Sequence, residues 1–290
     1  MMRQILLLLV LFVSLSSIQC QELVENIPAL SGFGEETVHA KSFVTSHYEQ
    51  RSEEYGNNIH GTLEAIQVQQ RYVISTIYNS TIEDFNNNEI VIDIGGGDCI
   101  NSQKLGIMLQ KTVWCIEPFM RVNTSALTHA VYLKMDALSF TSKKTVRYNF
   151  ALMKEVIHHF PPADVPLLFK NIHHQLISEG ALVIMTRPEN PYFLFSKLLK
   201  ERWASTSAKL DKVVQPLTDA GFSVSVQSHN FTMTINKEDW KRFVTDRTWS
   251  TFETLTDEQI QREFTELDRV HPASQFNFTD NCIFIVARKE

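Results

Sequence analysis

The sequence predicts an α/β fold: a doubly wound, mostly parallel seven-stranded sheet with helices on both faces and a helical cap. Three observations predict it. From residue 89 onward, short and nearly continuous apolar runs alternate with helix-like segments, as strands buried on both faces of a parallel sheet do. The first of these runs ends in three consecutive glycines, Gly95, Gly96 and Gly97. The C-terminal third then breaks the alternation, placing two amphipathic helices between its last two strands.

The elements follow in order. Residues 42–79 read as helical, with Tyr48, Tyr55, Ile59, Leu63, Ile66, Tyr72 and Ile77 spaced by three, four or more. "EIVIDI" (89–94) is the first strand, followed by the helix "NSQKLGIMLQ". "TVWCIE" (112–117), "AVYLKMD" (130–136) and "YNFALM" (148–153) are the second to fourth strands. The helix "ADVPLLFKNIHHQLIS" is stopped by Gly180, and "ALVIMT" (181–186) is the fifth strand. Parallel strands joined this way imply right-handed crossovers and a crevice at their carboxyl ends. "ENPYFLFSKLLKERWA" and "SAKLDKVVQPLTDA" are further helices, and "FSVSVQSHNFTMTI" and "NCIFIVAR" (281–288) are the last strands. Between those strands, "KEDWKRFVTDRTWSTF" and "TDEQIQREFTELDRV" are two helices that would pack over the crevice as a cap. The chain therefore divides into residues 1–20, an N-terminal helical segment over 21–84, and one domain over 85–290, with cap elements at about 189–204 and 237–270.

Composition excludes several function classes. Of 290 residues, 43% are hydrophobic and 21% charged, the ordinary globular range. With 27 basic against 33 acidic residues and no basic run, nucleic acid is not an expected partner. "MMRQILLLLVLFVSLSSIQCQE" has the layout of a secretory signal peptide: one arginine, an apolar run from Ile5 to Val13, then small polar residues. The run is too short to span a membrane, so stable insertion is not expected, an uncleaved anchor being the alternative. A lipoprotein signal does not fit, because Gln19 precedes Cys20. Four glycosylation sequons, at Asn79, Asn123, Asn230 and Asn277, agree with entry into the secretory pathway. Without Cys20, three cysteines remain, Cys99, Cys115 and Cys282. That odd number suggests no disulfide framework, and no spacing suits a zinc site, so no metal is expected.

The glycine loop lacks the third glycine of G-x-G-x-x-G, since Ile100 stands there, and no Gly-Lys-Ser/Thr follows. A phosphate cradle is disfavoured. Instead, Asp93 precedes the glycines and Glu117 ends the second strand, twenty residues beyond Gly97. A carboxylate at that strand tip can accept both hydroxyls of a ribose, while the glycines admit a nucleoside and its amino-acid tail. With "YLKMDALSF", "YNFALMKEVIHHF" and "GALVIMTRP" following in order, the chain resembles the class I, Rossmann-like, S-adenosylmethionine-dependent methyltransferases of the small-molecule branch. The resemblance runs from roughly residue 85 to 190.

The resemblance implies S-adenosylmethionine as cofactor. It implies contacts from Asp93, Gly95, Gly96, Gly97, Glu117, Asp136, Ala137, Met153 and Lys154, with Asp136 near the adenine. His158 and His159 fall where the family places residues near the transferred methyl. One could be a base, and packing or a backbone hydrogen bond is the other reading. His173 and His174 lie mid-helix and are read as surface. Cys99 stands where members commonly carry a further glycine, either crowding the cofactor or tolerated in the loop. Arg187 could meet an acidic acceptor or a carboxylate. Tyr48, Tyr55 and His60 are core-helix or lid residues. Tyr192, Phe193, Phe195, Trp203, Trp240 and Trp249 would be helix core, some of them lining an apolar pocket. The expected function is methyl transfer to a small-molecule acceptor (O, N or carboxylate) in the secretory pathway. A secreted binding protein that kept the fold and lost turnover is the alternative. Oligomeric state is not legible.

Overall fold

A computed structural model describes residues 59, 61–82, 90–119, 122–143, 145–191 and 196–290. The N-terminal run with Cys20, Tyr48, Tyr55, His60, Tyr192, Phe193 and Phe195 lie outside them. Seven strands form one sheet: β1 (Val91–Ile94), β2 (Val113–Ile116), β3 (Ala130–Leu133), β4 (Tyr148–Lys154), β5 (Leu176–Thr186), β6 (Ser223–Asn236) and β7 (Gln275–Arg288). Their order is β3-β2-β1-β4-β5-β7-β6, and every pairing is parallel except those of β7, which runs antiparallel to β5 and β6. The chain changes direction across the sheet between β1 and β4, which opens a crevice at their carboxyl ends. The predicted fold class is the observed one.

Eight α-helices are described: α1 (Glu64–Thr81), α2 (Ile100–Leu109), α3 (Ala137–Thr141), α4 (Val165–Gln175), α5 (Lys197–Thr206), α6 (Leu210–Asp219), α7 (Lys237–Thr245) and α8 (Asp257–Val270). Strands β1, β2, β4 and the second part of β5 are almost wholly buried because each face there has its own cover, whereas β6 exposes most of its length. Val91, Val113, Phe150, Leu152 and Val183 pack with Ile66, Ile74 and Tyr78 of α1. Ile92, Ile116, Ala151, Met153 and Ile184 pack with α3, α4 and α6 through Phe140, Leu168, Phe169 and Leu217. The cap shares the first of these cores through Trp240, Phe243, Trp249 and Phe252. Its helices start where side chains can satisfy their free N–H groups. Asn236 accepts from Glu238, and Thr256 and Gln259 form a reciprocal capping box. Among the described residues no helix is long and apolar enough to cross a membrane.

Two boundaries differ from the sequence reading. Helix α4 stops at Gln175, and β5 begins at Leu176 rather than Ala181. The cause is tertiary: Lys289, just past β7, donates to the carbonyls of His173 and Leu176 and so closes the helix. Gln175 in turn donates to Phe140 and Lys143 from a fully buried position. Strand β7 starts six residues earlier than "NCIFIVAR", at Gln275, because β6 offers a partner along its whole length.

The cysteine reading needs correction. Cys99 and Cys115 form a disulfide, leaving Cys282 as a buried thiol among the described residues. An odd count concealed a pair whose members meet only when β1 and β2 align, Asp93 opposite Cys115. Cys99 neither crowds the crevice nor sits idle in the loop. Its sulfur is turned down, away from the cavity, into the bridge.

Candidate active site

A cavity of about 250 Å³ opens at the carboxyl ends of β1, β2, β4 and β5. Its floor is the glycine loop. Gly95 has φ +73°, and a Cβ there would lie 2.3 Å from the Val156 side chain. A Cβ on Gly96 would lie 2.6 Å from the Cys115 sulfur and 2.9 Å from Ser102 Oγ. Both positions therefore require glycine. Gly97 faces open space, so a ligand can lie against its backbone. The disulfide lies directly beneath Gly96 and ties the loop to β2.

Asp93 is only 2% exposed, at the end of β1. Its Oδ2 accepts from Ser102 Oγ at 2.7 Å, while Oδ1 is buried with no hydrogen-bond partner. Burial raises the carboxyl to about 6, against the opposing pull of Ser102 and of the Lys154 charge. Glu117, 8% exposed, follows β2 and reaches back over the loop. Its two oxygens accept from the N–H groups of Gly97 (3.3 Å) and Phe119 (2.8 Å). A carboxylate at this strand tip is a group that can accept ribose hydroxyls.

Asp136 also lines the cavity, but its carboxylate caps α3, accepting from Ser139 N–H at 2.9 Å and Ser139 Oγ at 2.7 Å. That capping role accounts for an aspartate here by itself. Ala137 lines the cavity beside it. Lys154 lines it too, and its ammonium donates to Gln67 of α1 at 2.8 Å. Burial lowers the lysine pKa, in the company of the Arg187 charge.

Met153 does not belong with them. It is fully buried in the core shared with α4 and is absent from the cavity wall. Alternation along β4 explains this: Leu152 and Lys154 face α1, so Met153 points to the opposite face of the sheet.

His158 and His159 occupy a 3-10 turn (Ile157–His159) on the cavity wall, their rings 3.9 Å apart. Burial, reinforced by the Arg187 charge, lowers His158 to about 4, so it is neutral at physiological pH. His173, by contrast, packs edge-on against Phe222 and serves structure.

Arg187 is not the exposed cation that the sequence allowed. Its guanidinium makes a bidentate pair with Asp280 of β7 (2.7 and 2.9 Å), pairs with Glu155, and lies 4.9 Å above the Trp249 ring. Asp280 is wholly buried and also receives Gln70 of α1. Of the aromatics, Trp203 and Trp249 reach the cavity, while Trp240 stays in the cap core. The sequence reading missed Glu155, Asp280 and Gln67. Only for Glu155 was there a local signal, since it adjoins Lys154 within "MKEVIHHF".

An orphaned acid oxygen, a glycine floor open to a ligand and a strand-tip carboxylate aimed at it fit S-adenosylmethionine. Residues 66–234 match the family model described as a methyltransferase domain. The chain belongs to that family. Its fold is that of the class I methyltransferases, as two solved structures illustrate. Phosphoethanolamine N-methyltransferase 2 of Haemonchus contortus, in complex with S-adenosyl-L-methionine, superposes with a TM-score of 0.54 at 15% identity, over 87% of this chain and 60% of that one. This chain thus spans about three fifths of the length of that enzyme. A SAM-dependent methyltransferase from Archaeoglobus fulgidus gives a TM-score of 0.51 at 15% identity, over 81% and 98% of the two chains. A comparison with curated proteins found no match. Among the described residues, no group of three or more His, Cys, Asp or Glu is placed to hold a metal ion.

Proposed function

We propose that this methyltransferase binds S-adenosylmethionine over the glycine loop and transfers its methyl group to a small-molecule acceptor within the secretory pathway. The observation that carries the reading is the pairing of Asp93, with its orphaned Oδ1, and Glu117 across Gly95–Gly97 at the cavity floor. When bound, the cofactor supplies a methyl carbon on a positively charged sulfonium. The protein's share is positioning. Glu117 orients the ribose, Asp93 receives a cationic N–H donor, and the loop backbone fixes the distance to the acceptor chamber. Neutral His158 can accept a hydrogen bond from an acceptor O–H or N–H, but its low proton affinity makes it a poor general base. Trp203 and Trp249 help exclude water from the chamber.

A small acceptor suits a cavity of this size, and the solved Haemonchus contortus enzyme is named in complex with phosphomonomethylethanolamine. The secretory assignment rests on the signal-like N-terminus, the Cys99–Cys115 bridge and four sequon asparagines that are all exposed. The alternative of a binding protein without turnover rests on Cys99 and on the signal-like N-terminus, since the cofactor is made in the cytosol; the bridge accounts for Cys99, and the second ground stands.

Calorimetric titration with S-adenosylhomocysteine tests the cofactor site. Glu117→Ala should weaken binding by about ten- to a hundredfold, the loss of hydrogen bonds to a charged group. His158→Ala should change it by less than about threefold. A reversed order would displace the ribose from Glu117, and no binding by the native chain would sink the proposal.

A further inference from the structure

Beyond the glycine loop the cavity continues between the 3-10 turn at His158, the end of β5 and the cap residues Trp203 and Trp249. Among the described residues, Asp93, Asp98, Glu117 and Asp136 line the cavity around the glycine loop, and Glu155 is the carboxylate beyond it, beside Lys154 and Arg187. Arg187 is held by Asp280 and Glu155 and covered by the Trp249 ring, while Lys154 gives one of its three N–H donors to Gln67. A carboxylate or phosphate entering here would meet the Glu155 charge and find the Arg187 guanidinium already committed.

Glu155 offers the opposite. Its Oε2 pairs with Arg187, while Oε1 is buried with no hydrogen-bond partner. The residue has φ +56°, a left-handed backbone that a non-glycine residue adopts at some cost. That geometry holds its carboxylate at the cavity wall, beside two buried indoles whose centroids lie 5.8 Å apart. An unsatisfied anionic acceptor next to aromatic surface is what an ammonium on a flat apolar body requires.

We infer that the acceptor is an amine carried on a compact aromatic or apolar body, with its nitrogen at Glu155 and its body against Trp203 and Trp249. The inference rests on the proposed methyl transfer and names its acceptor atom. The ammonium first gives a proton to the Glu155 carboxylate. The freed nitrogen lone pair then forms the N–C bond while the C–S pair returns to sulfur, leaving a neutral thioether. The Glu155 proton passes to solvent as the methylated ammonium leaves. Burial raises the Glu155 carboxyl despite its arginine, which suits it to take that proton transiently.

The test uses the full secreted chain and three size-matched probes: 2-phenylethylamine, 3-phenylpropionate and 4-ethylphenol. S-adenosylhomocysteine binding is measured first, and each probe is then titrated onto the loaded protein. The amine should bind at least about tenfold more tightly than either competitor, and Glu155→Gln should remove that preference while leaving S-adenosylhomocysteine affinity within about twofold. Equal or tighter binding of the acid or the phenol, no binding of the amine, or an amine preference unchanged in E155Q overturns the inference. If E155Q does not fold, the ranking of the three probes on the native chain decides alone. Failure of S-adenosylhomocysteine to bind defeats the methyl-transfer reading instead, and the two failures are read from separate titrations.

Discussion

Asp93 is expected to couple the proposed cofactor site to pH. Its carboxyl rises from an ordinary value of 3.8 to about 6 because it is buried. A raised acid holds a proton in the folded chain that the unfolded chain has released. Stability therefore falls as pH climbs from about 4 to about 6, by about 3 kcal/mol for a shift of this size. A cationic ligand group favours the ionised form, so S-adenosylhomocysteine affinity should rise about tenfold between pH 5 and pH 7.5. His158, at about 4, stays neutral across that window and contributes nothing to the slope. Asp93→Asn should flatten it. A slope that persists in the variant would assign the titration to another group. At this scale the motif made Asp93 and Glu117 legible, because each ends a strand beside the glycines. Asp280 was not, since it meets Arg187 from 93 residues away.

Among the elements, the glycine loop gains most from its tether. Cys99 has φ +61° and Cys115 sits inside β2, so their bond fixes the loop before any ligand arrives. The sulfurs are 16 residues apart in sequence, and closing a loop of that length contributes about 3 kcal/mol on the chain-entropy account. Replacing both cysteines by serine should lower stability by about that amount, read in a denaturant titration. It should also weaken S-adenosylhomocysteine by several-fold as the loop loses its fixed geometry. Unchanged stability would show that the bridge does not form in solution. The sequence made the helices and strands legible because the central strands are apolar on both faces, β6 alternates, and the cap helices carry their own start signals. It did not show where α4 yields to β5. "HHQLISEGAL" can continue as either, and Lys289 from the far end of the chain decides.

For the whole molecule, the first five strands pair in parallel, whereas β7 runs antiparallel between β5 and β6 and forms a long hairpin with β6. That hairpin carries two of the sequons. Asn230 and Asn277 lie on its exposed face, opposite Phe231, Phe276 and Phe278, and none of the four sequon asparagines lines the cavity. On the proposed secretory route, enzymatic removal of N-linked glycans should lower the apparent mass of the chain and leave the proposed methyl transfer unchanged. A loss of activity would place a glycan near the entrance.

The ion cluster at Arg187 also constrains how the chain can drift. Arg187 joins the ends of β4 and β5 to β7 and the cap, and losing the arginine strands two buried carboxylates at a cost of about 3–5 kcal/mol. Loss of Glu155 or of Asp280 alone leaves Arg187 with one carboxylate partner, so the arginine is the member that cannot go first. Descendant sequences that keep both carboxylates should therefore keep Arg187. Arg187 then serves as an inherited marker of the cluster, fixed in place by the two carboxylates that surround it.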